Sequence, residues 1–371
     1  MQLLDTLQNQ LPDSSFARLL DALQDIARNV QIKSNFYIGH PNYKPLELPA
    51  EVVARFQQLP KDIQNKYLSI QLRSFLYKSY YNGDTEGILA ADANSADLPF
   101  PQNLENNTVR GLNLEFYERL HSSNSGEGYF DPGWCVLRQE SDGSLAVKKN
   151  VTLHIERDRH LQLAEQSATF GDTVAIRMPR NLVENGFYVA VGNAGLVQRR
   201  NQDGAAQTVE IYFNLSPEGA VAVMAAITRQ LNEIRIPFTF KVLYNPSDYG
   251  RYDSGVLHFS LLHYSAVRQV LQTVYAENQS HFRIEVPLFT KLLALGLGLA
   301  EEPDCKFAAG ESFGLNRCQI VANGLLEAWL QGDDSPENRI TCIRQHFSLL
   351  EIELQRPYLN ANSEDIYTLL A

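Results

Sequence analysis

Lys241 stands in the run FTFKVLY, a lone lysine in an otherwise apolar and aromatic stretch. A lysine held away from water can lose its proton near neutral pH and act as a base. The plainer reading is a lysine on the wet face of a half-buried strand. Three arginines are candidates for holding an anion. Arg317, in SFGLNRC, falls near the expected start of a helix, where backbone N–H groups add anion affinity, and Ser312 and Gly314 could shape the turn before it. Arg251 lies in a turn with Asp253 two residues on, close enough to orient it. Arg177 sits among apolar strand residues in VAIRMPR. For moving a proton there are His154 in VTLHIER, His258 in VLHFS and Tyr212 in IYFNL. Imidazole suits that work because its pKa lies near 6.5. Asn214 follows Tyr212 by two residues and shares its face of the strand. Each has an ordinary alternative: a surface helix arginine, a turn ion pair worth little, a histidine that is half-buried scaffold.

The elements that must position these residues divide at a change of pattern. Residues 1–125 read as mostly helical. Leu3, Leu4 and Leu7 repeat at helical spacing, as do Phe16, Leu19, Leu20, Leu23 and Ile26, with Ser14 and Ser15 as caps. A crossing rich in proline follows (Pro41, Pro45, Pro49), then helices over 50–58 and 60–80, a long loop over 83–110 and a helix over 112–121. HSSNSGEGYFDPG reads as a flexible connection. From Trp134 the chain turns to short β-type runs: WCVLRQ, SLAVKK, VTLHIE, TVAIRM, FYVAVG and VEIYFNL. Ser216 as N-cap and Pro217 after it open a helix, with FTFKVLY and VLHFS as later strands. Helices over 261–277, 316–331 and 335–348 close the chain. The expected fold is α+β: a helical N-terminal region over 1–125, then an antiparallel or mixed sheet with flanking helices over 126–371, the helices on one face.

Composition narrows the function. The chain has 371 residues, 44% hydrophobic and 20% charged, which is ordinary for a globular protein. The net charge of -11 argues against a general nucleic-acid binder. Four cysteines without C-x-x-C or zinc spacing read as reduced thiols. No metal site or cofactor is expected, and no run approaches the roughly 18 apolar residues of a membrane span. With no cationic, apolar leader at the N-terminus, a cytoplasmic location is expected. VGNAGL and GLGLA are not nucleotide-binding loops, and there is no H-E-x-x-H, G-x-S-x-G or H-R-D set.

Three stretches resemble one family: IYFNLSPEGA with PFTFKVLYNPSDYGRYDSGVLHF, VPLFTKLLALGLGLAEEP, and GESFGLNRC. Together, over roughly residues 130–360, they resemble the HopA-type family, named after a plant-pathogen type III effector. That family includes lyases (cyclases) of class V lanthipeptide biosynthesis and is distantly similar to the OspF-type phosphothreonine lyases. The resemblance implies a carbon–oxygen lyase that eliminates phosphate from phosphoserine or phosphothreonine in a precursor peptide. The products are dehydroalanine or dehydrobutyrine, with thioether closure as a further step. A separate kinase would supply the phosphorylated peptide. The F-K-hydrophobic motif that carries the base matches Phe240, Lys241 and Val242, and the Arg-x-x-Ser-Gly turn matches Arg251, Ser254 and Gly255. The Lys-x-His that supplies a phosphate ligand and the general acid in the class III relatives falls on Glu210 and Tyr212, so both roles must be refilled.

On this reading Lys241 is the base, and Arg317, Arg251 and Arg177 are the phosphate clamps, with Asp253 orienting Arg251. The acid is to be sought among His154, His258 and Tyr212; Lys149 and His154, on one apparent hairpin, could together stand in for the lost pair. Asn214 could hydrogen-bond the substrate, and edge strands over 130–160 could take up a leader peptide by strand addition. The alternative is a non-catalytic, effector-like module that binds a phosphopeptide or a protein. A lyase requires Lys241 buried among converging arginines; a binding module leaves it facing solvent.

Overall fold

The computed structural model describes residues 11–83, 111–184, 186–197 and 207–370. Helix α1 (Leu11–Asn29) turns Leu19, Leu23 and Ile26 inward. It is already formed at Leu11, so Ser14 and Ser15 lie inside it and do not cap it. The proline-rich stretch is not a bare crossing. It holds a three-stranded antiparallel sheet: β1 (Gln31–Ser34), β2 (Tyr37–His40) and β3 (Tyr43–Glu47). Strands this short leave little alternation to read, and Pro45 sits in β3, at an edge, where a missing N–H is tolerated. Helix α2 (Ala50–Phe56) and helix α3 (Lys61–Leu76) follow, and α3 runs on into a π-helical turn, Tyr77–Tyr81. Helix α4 (Leu114–Ser123) is capped by the Asn113 side chain, which accepts from the Phe116 N–H at 2.9 Å. Leu3, Leu4, Leu7 and most of the expected 83–110 loop lie outside the described residues.

A four-stranded antiparallel sheet comes next, in the order β6 (Thr152–Ile155), β5 (Leu145–Lys148), β4 (Tyr129–Gln139), β7 (Thr173–Met178). Trp134, Val136, Val147 and Ile176 belong to its separate core. Residues 129–133, expected as connection, form the first half of β4; the strand survives the Pro-Gly pair because its register slips between Asp131 and Trp134.

The main sheet has seven strands: β8 (Asn181–Glu184), β9 (Phe187–Val191), β10 (Thr208–Phe213), β11 (Phe238–Leu243), β12 (Gly255–Ser260), β13 (Lys291–Ala294) and β14 (Leu297–Glu301). Their order is β13-β14-β10-β12-β11-β9-β8, and every pairing is antiparallel. Helix α5 (Pro217–Glu233) starts as its sequence requires, with Ser216 Oγ accepting from the Gly219 N–H at 3.1 Å. Helices α6 (Tyr264–Asn278), α7 (Phe313–Gln331) and α8 (Pro336–Leu349) complete the fold, which is mixed α+β.

Helices cover both faces of the main sheet, where one was expected. On the first face Phe213 and Phe240 pack ring to ring at 5.2 Å, and Tyr188 meets Tyr117 and His121 of α4. On the second, Tyr212 packs against Tyr81 of the π-helical turn and Phe313 of α7. The cover is dense over β10, all of whose residues are buried, and stops over β11 and β12, where Thr239, Lys241 and His258 are partly exposed. The result is an open strip on an otherwise closed sheet. Residues on either side of the expected boundary at 125/126, such as Phe75, Phe116 and Phe240, share one core. Among the described residues, no helix is long and apolar enough to cross a membrane.

Candidate functional site

Antiparallel register brings the chemistry-bearing residues of the strip together. Glu210 on β10 lies opposite His258 on β12, which lies opposite Thr239 on β11. One step along, Tyr212, Val256 and Lys241 form the neighbouring row. Side chains two apart on a strand share a face, so Glu210, Tyr212, His258 and Lys241 all stand on the second face.

Glu210 is only 5% exposed. It accepts a short hydrogen bond from the Tyr212 phenol and faces His258 Nε2 at 3.3 Å. Burial alone would raise its pKa; the hydrogen bond and charge of His258, the charge of Lys241 and the Tyr212 phenol outweigh that and hold the carboxyl down at about 2. Burial and the Glu210 charge push the Tyr212 phenol well up, so it remains a donor. Tyr81 packs edge-on to Tyr212, and its buried hydroxyl approaches that of Tyr212 without the geometry of a hydrogen bond. Its ring is seated by Gly314, where a Cβ would come within 2.4 Å of it. His258 Nδ1 is buried with no hydrogen-bond partner.

The second wall comes from the turn before β12. Arg251 pairs bidentately with Asp253, Nε to Oδ1 at 2.6 Å and Nη2 to Oδ2 at 2.8 Å, and Asp253 also accepts from the Tyr77 phenol at 2.9 Å. Lys241 Nζ lies 5.4 Å from the centroid of the Phe187 ring, and the Arg251 guanidinium carbon lies 5.7 Å from the same centroid. Ser254 ties this turn to the end of β10, accepting from the Leu215 N–H at 2.8 Å and donating to the Phe213 carbonyl at 3.0 Å. The Arg251, Ser254 and Gly255 motif is thus also a structural latch: Gly255 leaves room for Phe213, whose Cβ would stand 3.3 Å from an added Cβ.

Of the residues singled out from sequence, Lys241, Tyr212, Arg251, Asp253 and His258 meet at this strip. Asn214 shares the Tyr212 face but is buried, its amide donating to the Glu285 carbonyl at 2.9 Å. Four others are elsewhere. Arg317 is 1% exposed, and its guanidinium is committed to the Pro357 carbonyl (2.7 Å), the Leu359 carbonyl (2.9 Å) and Asn316 Oδ1 (2.6 Å). It pins the C-terminal segment to α7, and nothing of it is presented to an anion. Lys149, His154 and Arg177 belong to the four-stranded sheet, whose hairpin β5–β6 has no pairing with β10. Lys149 is paired with Asp131 at 2.9 Å, Arg177 donates to the Glu127 carbonyl at 2.9 Å, and His154 is 59% exposed beside Glu140. The lost Lys-x-His is therefore not rebuilt from that hairpin. Sequence reasoning gave no role to Tyr77, Tyr81, Phe187 or Glu210. For Glu210 a signal existed: a carboxylate in the middle of the apolar run VEIYF.

The chain is thus a mixed α+β protein with a seven-stranded antiparallel sheet whose open strip gathers a lysine, an arginine, a histidine and a buried glutamate. Residues 178–359, which contain the whole of that sheet, match the model of the HopA1 effector protein family. The chain is similar to the solved effector protein from Pseudomonas syringae pv. tomato strain DC3000, at 13% identity and a TM-score of 0.47, over 95% of this chain and 100% of that one. It is also similar to the effector protein from Pseudomonas syringae pv. syringae strain 61, at 13% identity and a TM-score of 0.43, over 93% of this chain and 98% of that one. No curated protein matches the chain.

Two outcomes follow from this geometry. Arg317→Ala should lower the unfolding free energy by roughly 3 kcal/mol or more in urea denaturation, because two buried carbonyls lose a charged donor; a loss under about 1 kcal/mol would contradict the pinning role. Glu210 has a folded pKa near 2 against an ordinary 4.5, so its stabilisation is full above 4.5 and fades as pH falls toward 2. Stability measured against pH should therefore show wild type exceeding Glu210→Gln by on the order of a few kcal/mol near neutrality, the gap closing below pH 4.5. A gap that does not change with pH would contradict the buried charge.

Proposed function

We propose that this protein is a phosphoserine/phosphothreonine lyase. It acts on a precursor peptide phosphorylated by a separate kinase, in the cytoplasm, and leaves dehydroalanine or dehydrobutyrine, to which a cysteine thiol can then add to close a thioether ring. The reading is carried by one observation: Lys241 and Arg251 stand against the same Phe187 ring beside the partly exposed strip of the second sheet face. A base and an anion anchor beside one ring are what elimination of phosphate requires.

In this scheme Lys241, after giving its resting proton to solvent, removes the Cα proton of the phosphorylated residue. The electron pair forms the Cα=Cβ bond as the Cβ–O bond breaks, and the phosphate departs with both electrons of that bond. Arg251, fixed in orientation by Asp253, offers its guanidinium to the phosphate oxygens. The reaction as written uses no metal or cofactor.

A second reading is favoured by Glu210. An ionised carboxylate stands where the class III relatives carry a phosphate-binding lysine. On that reading the strip is an effector-like binding surface for a peptide or protein and performs no chemistry.

Mass spectrometry of the precursor peptide, phosphorylated by its kinase and incubated with the protein, separates the two. The lyase reading expects wild type to remove the mass of phosphoric acid, and Lys241→Ala to be slower by about 10²-fold or more. A precursor that keeps its phosphate with wild type contradicts it and leaves the binding surface.

A further inference from the structure

The main sheet ends at β8 on one side and at β13 on the other, and the two edges are finished differently. At β13 the C-terminal segment comes alongside, with the Leu370 N–H donating to the Leu293 carbonyl at 3.0 Å and Lys291 pairing with Asp365 at 2.7 Å. At β8 nothing among the described residues pairs with the outer side of the strand. The phase of the ladder fixes which groups this leaves open. The Val191 N–H donates to the Arg180 carbonyl at 2.9 Å, and the register sets Leu182 opposite Val189 and Glu184 opposite Phe187. Hydrogen-bonded pairs alternate along an antiparallel ladder, so Arg180, Leu182 and Glu184 bond inward to β9. Asn181 and Val183 therefore turn their N–H and carbonyl groups outward.

The surface around those groups suits an extended peptide. Natural edges are guarded by lysine, proline, a bulge or a covering element. β8 reads Asn-Leu-Val-Glu, its register has no slip, and Leu182 and Val183 are exposed, Val183 at 55%. An edge that offers main-chain groups selects a partner that offers main-chain groups back, and apolar side chains exposed on both faces favour apolar neighbours in it. Glu184 favours a basic residue opposite it. Leu182, Val189 and Lys241 share one row on the second face. With strands about 4.8 Å apart, a strand added to β8 lies on the order of 14 Å from Lys241, which about four extended residues can span. The sheet edge in the 130–160 stretch has no such relation, because the four-stranded sheet does not carry the strip.

We propose that β8 is the docking edge for the precursor peptide, which adds to the main sheet as a further strand through the main-chain groups of Asn181 and Val183. The docked segment is extended, with apolar side chains beside Leu182 and Val183 and a lysine or arginine beside Glu184. A phosphorylated residue further along the same peptide then reaches Lys241. The identity of the peptide as a substrate rests on the lyase reading; the docking itself needs no chemistry. Docking and chemistry are on this account separate parts of one sheet. The edge grips main chain and tolerates changes of sequence, and the strip acts on whichever phosphorylated residue is brought to it.

The probe is the unphosphorylated precursor peptide, so that phosphate takes no part. Amide hydrogen exchange is followed residue by residue by NMR, in the free protein and with the peptide added. Exchange at Asn181 and Val183 should slow by about tenfold or more on addition, while Leu182 and Glu184, already bonded to β9, change little. Val183→Pro removes one outward N–H at an edge where proline is tolerated, and should weaken peptide binding by about tenfold or more. Val183→Thr, which keeps the N–H, should stay within about threefold of wild type. Unchanged exchange at Asn181 and Val183, or wild-type affinity in Val183→Pro, would overturn the proposal. So would protection of the two amides in the free protein that grows with its concentration, since a second copy would then fill the edge. The lyase reading is judged separately. A wild type that binds the peptide at β8 but leaves its phosphorylated form intact loses the chemistry and keeps the docking edge. A Val183→Pro variant that eliminates phosphate with unchanged KM keeps the chemistry and loses the edge.

Discussion

A carboxylate buried in an interior strand of the main sheet sets the terms for everything around it. Glu210 is on β10, covered on both faces, and an unpaired charge there would cost several kcal/mol. The chain answers by bringing three groups from three strands: the Tyr212 phenol on β10, the His258 imidazole on β12 and the charge of Lys241 on β11. Removing any one leaves the others facing a less compensated charge. The polar patch is therefore one coupled unit, and its members are fixed in place by each other as much as by the backbone.

The sheet makes this possible because every neighbour is antiparallel. β12 lies between β10 and β11, so residues far apart in sequence fall into two adjacent rows on one face. The helical cover is uneven by design of the packing. Tyr81 leans on Tyr212 and is admitted by the bare backbone of Gly314, closing the face over β10. Beyond it the Arg251–Asp253 pair, braced by Tyr77, forms a rim, and the partly exposed surface of Thr239, Lys241 and His258 is left between. The N-terminal helices are part of this arrangement, since α3 and its π-helical turn supply both Tyr77 and Tyr81.

What the sequence made legible was the periodic part. Strand alternation located β10, β11 and β12 to within a residue or two, and Ser216-Pro217 marked the start of α5. Lys241, Arg251 and Asp253 could be named because a motif spacing singled them out. Less legible were features set by contacts distant in the chain. Arg317 looked like an anion ligand because it lies near a helix start; its partners are carbonyls at 357 and 359 that no local pattern announces. Lys149 and His154 looked available because nothing in the sequence says which sheet a hairpin joins. The β1–β3 meander was hidden by its prolines and its four- and five-residue strands. Glu210 was visible as a misplaced charge, but its meaning depended on the pairing of β10 with β12.

The account stands on Glu210 being ionised inside the sheet. The direct measurement is a pH titration of the protein carrying 13C-labelled glutamate side chains, with Glu210→Gln used to assign its carboxyl resonance. The carboxyl of Glu210 should remain charged through the whole range in which the protein stays folded, with a midpoint near 2. A midpoint at or above the ordinary 4.5 would mean that the carboxyl is neutral when buried, and that it holds neither His258 nor Lys241.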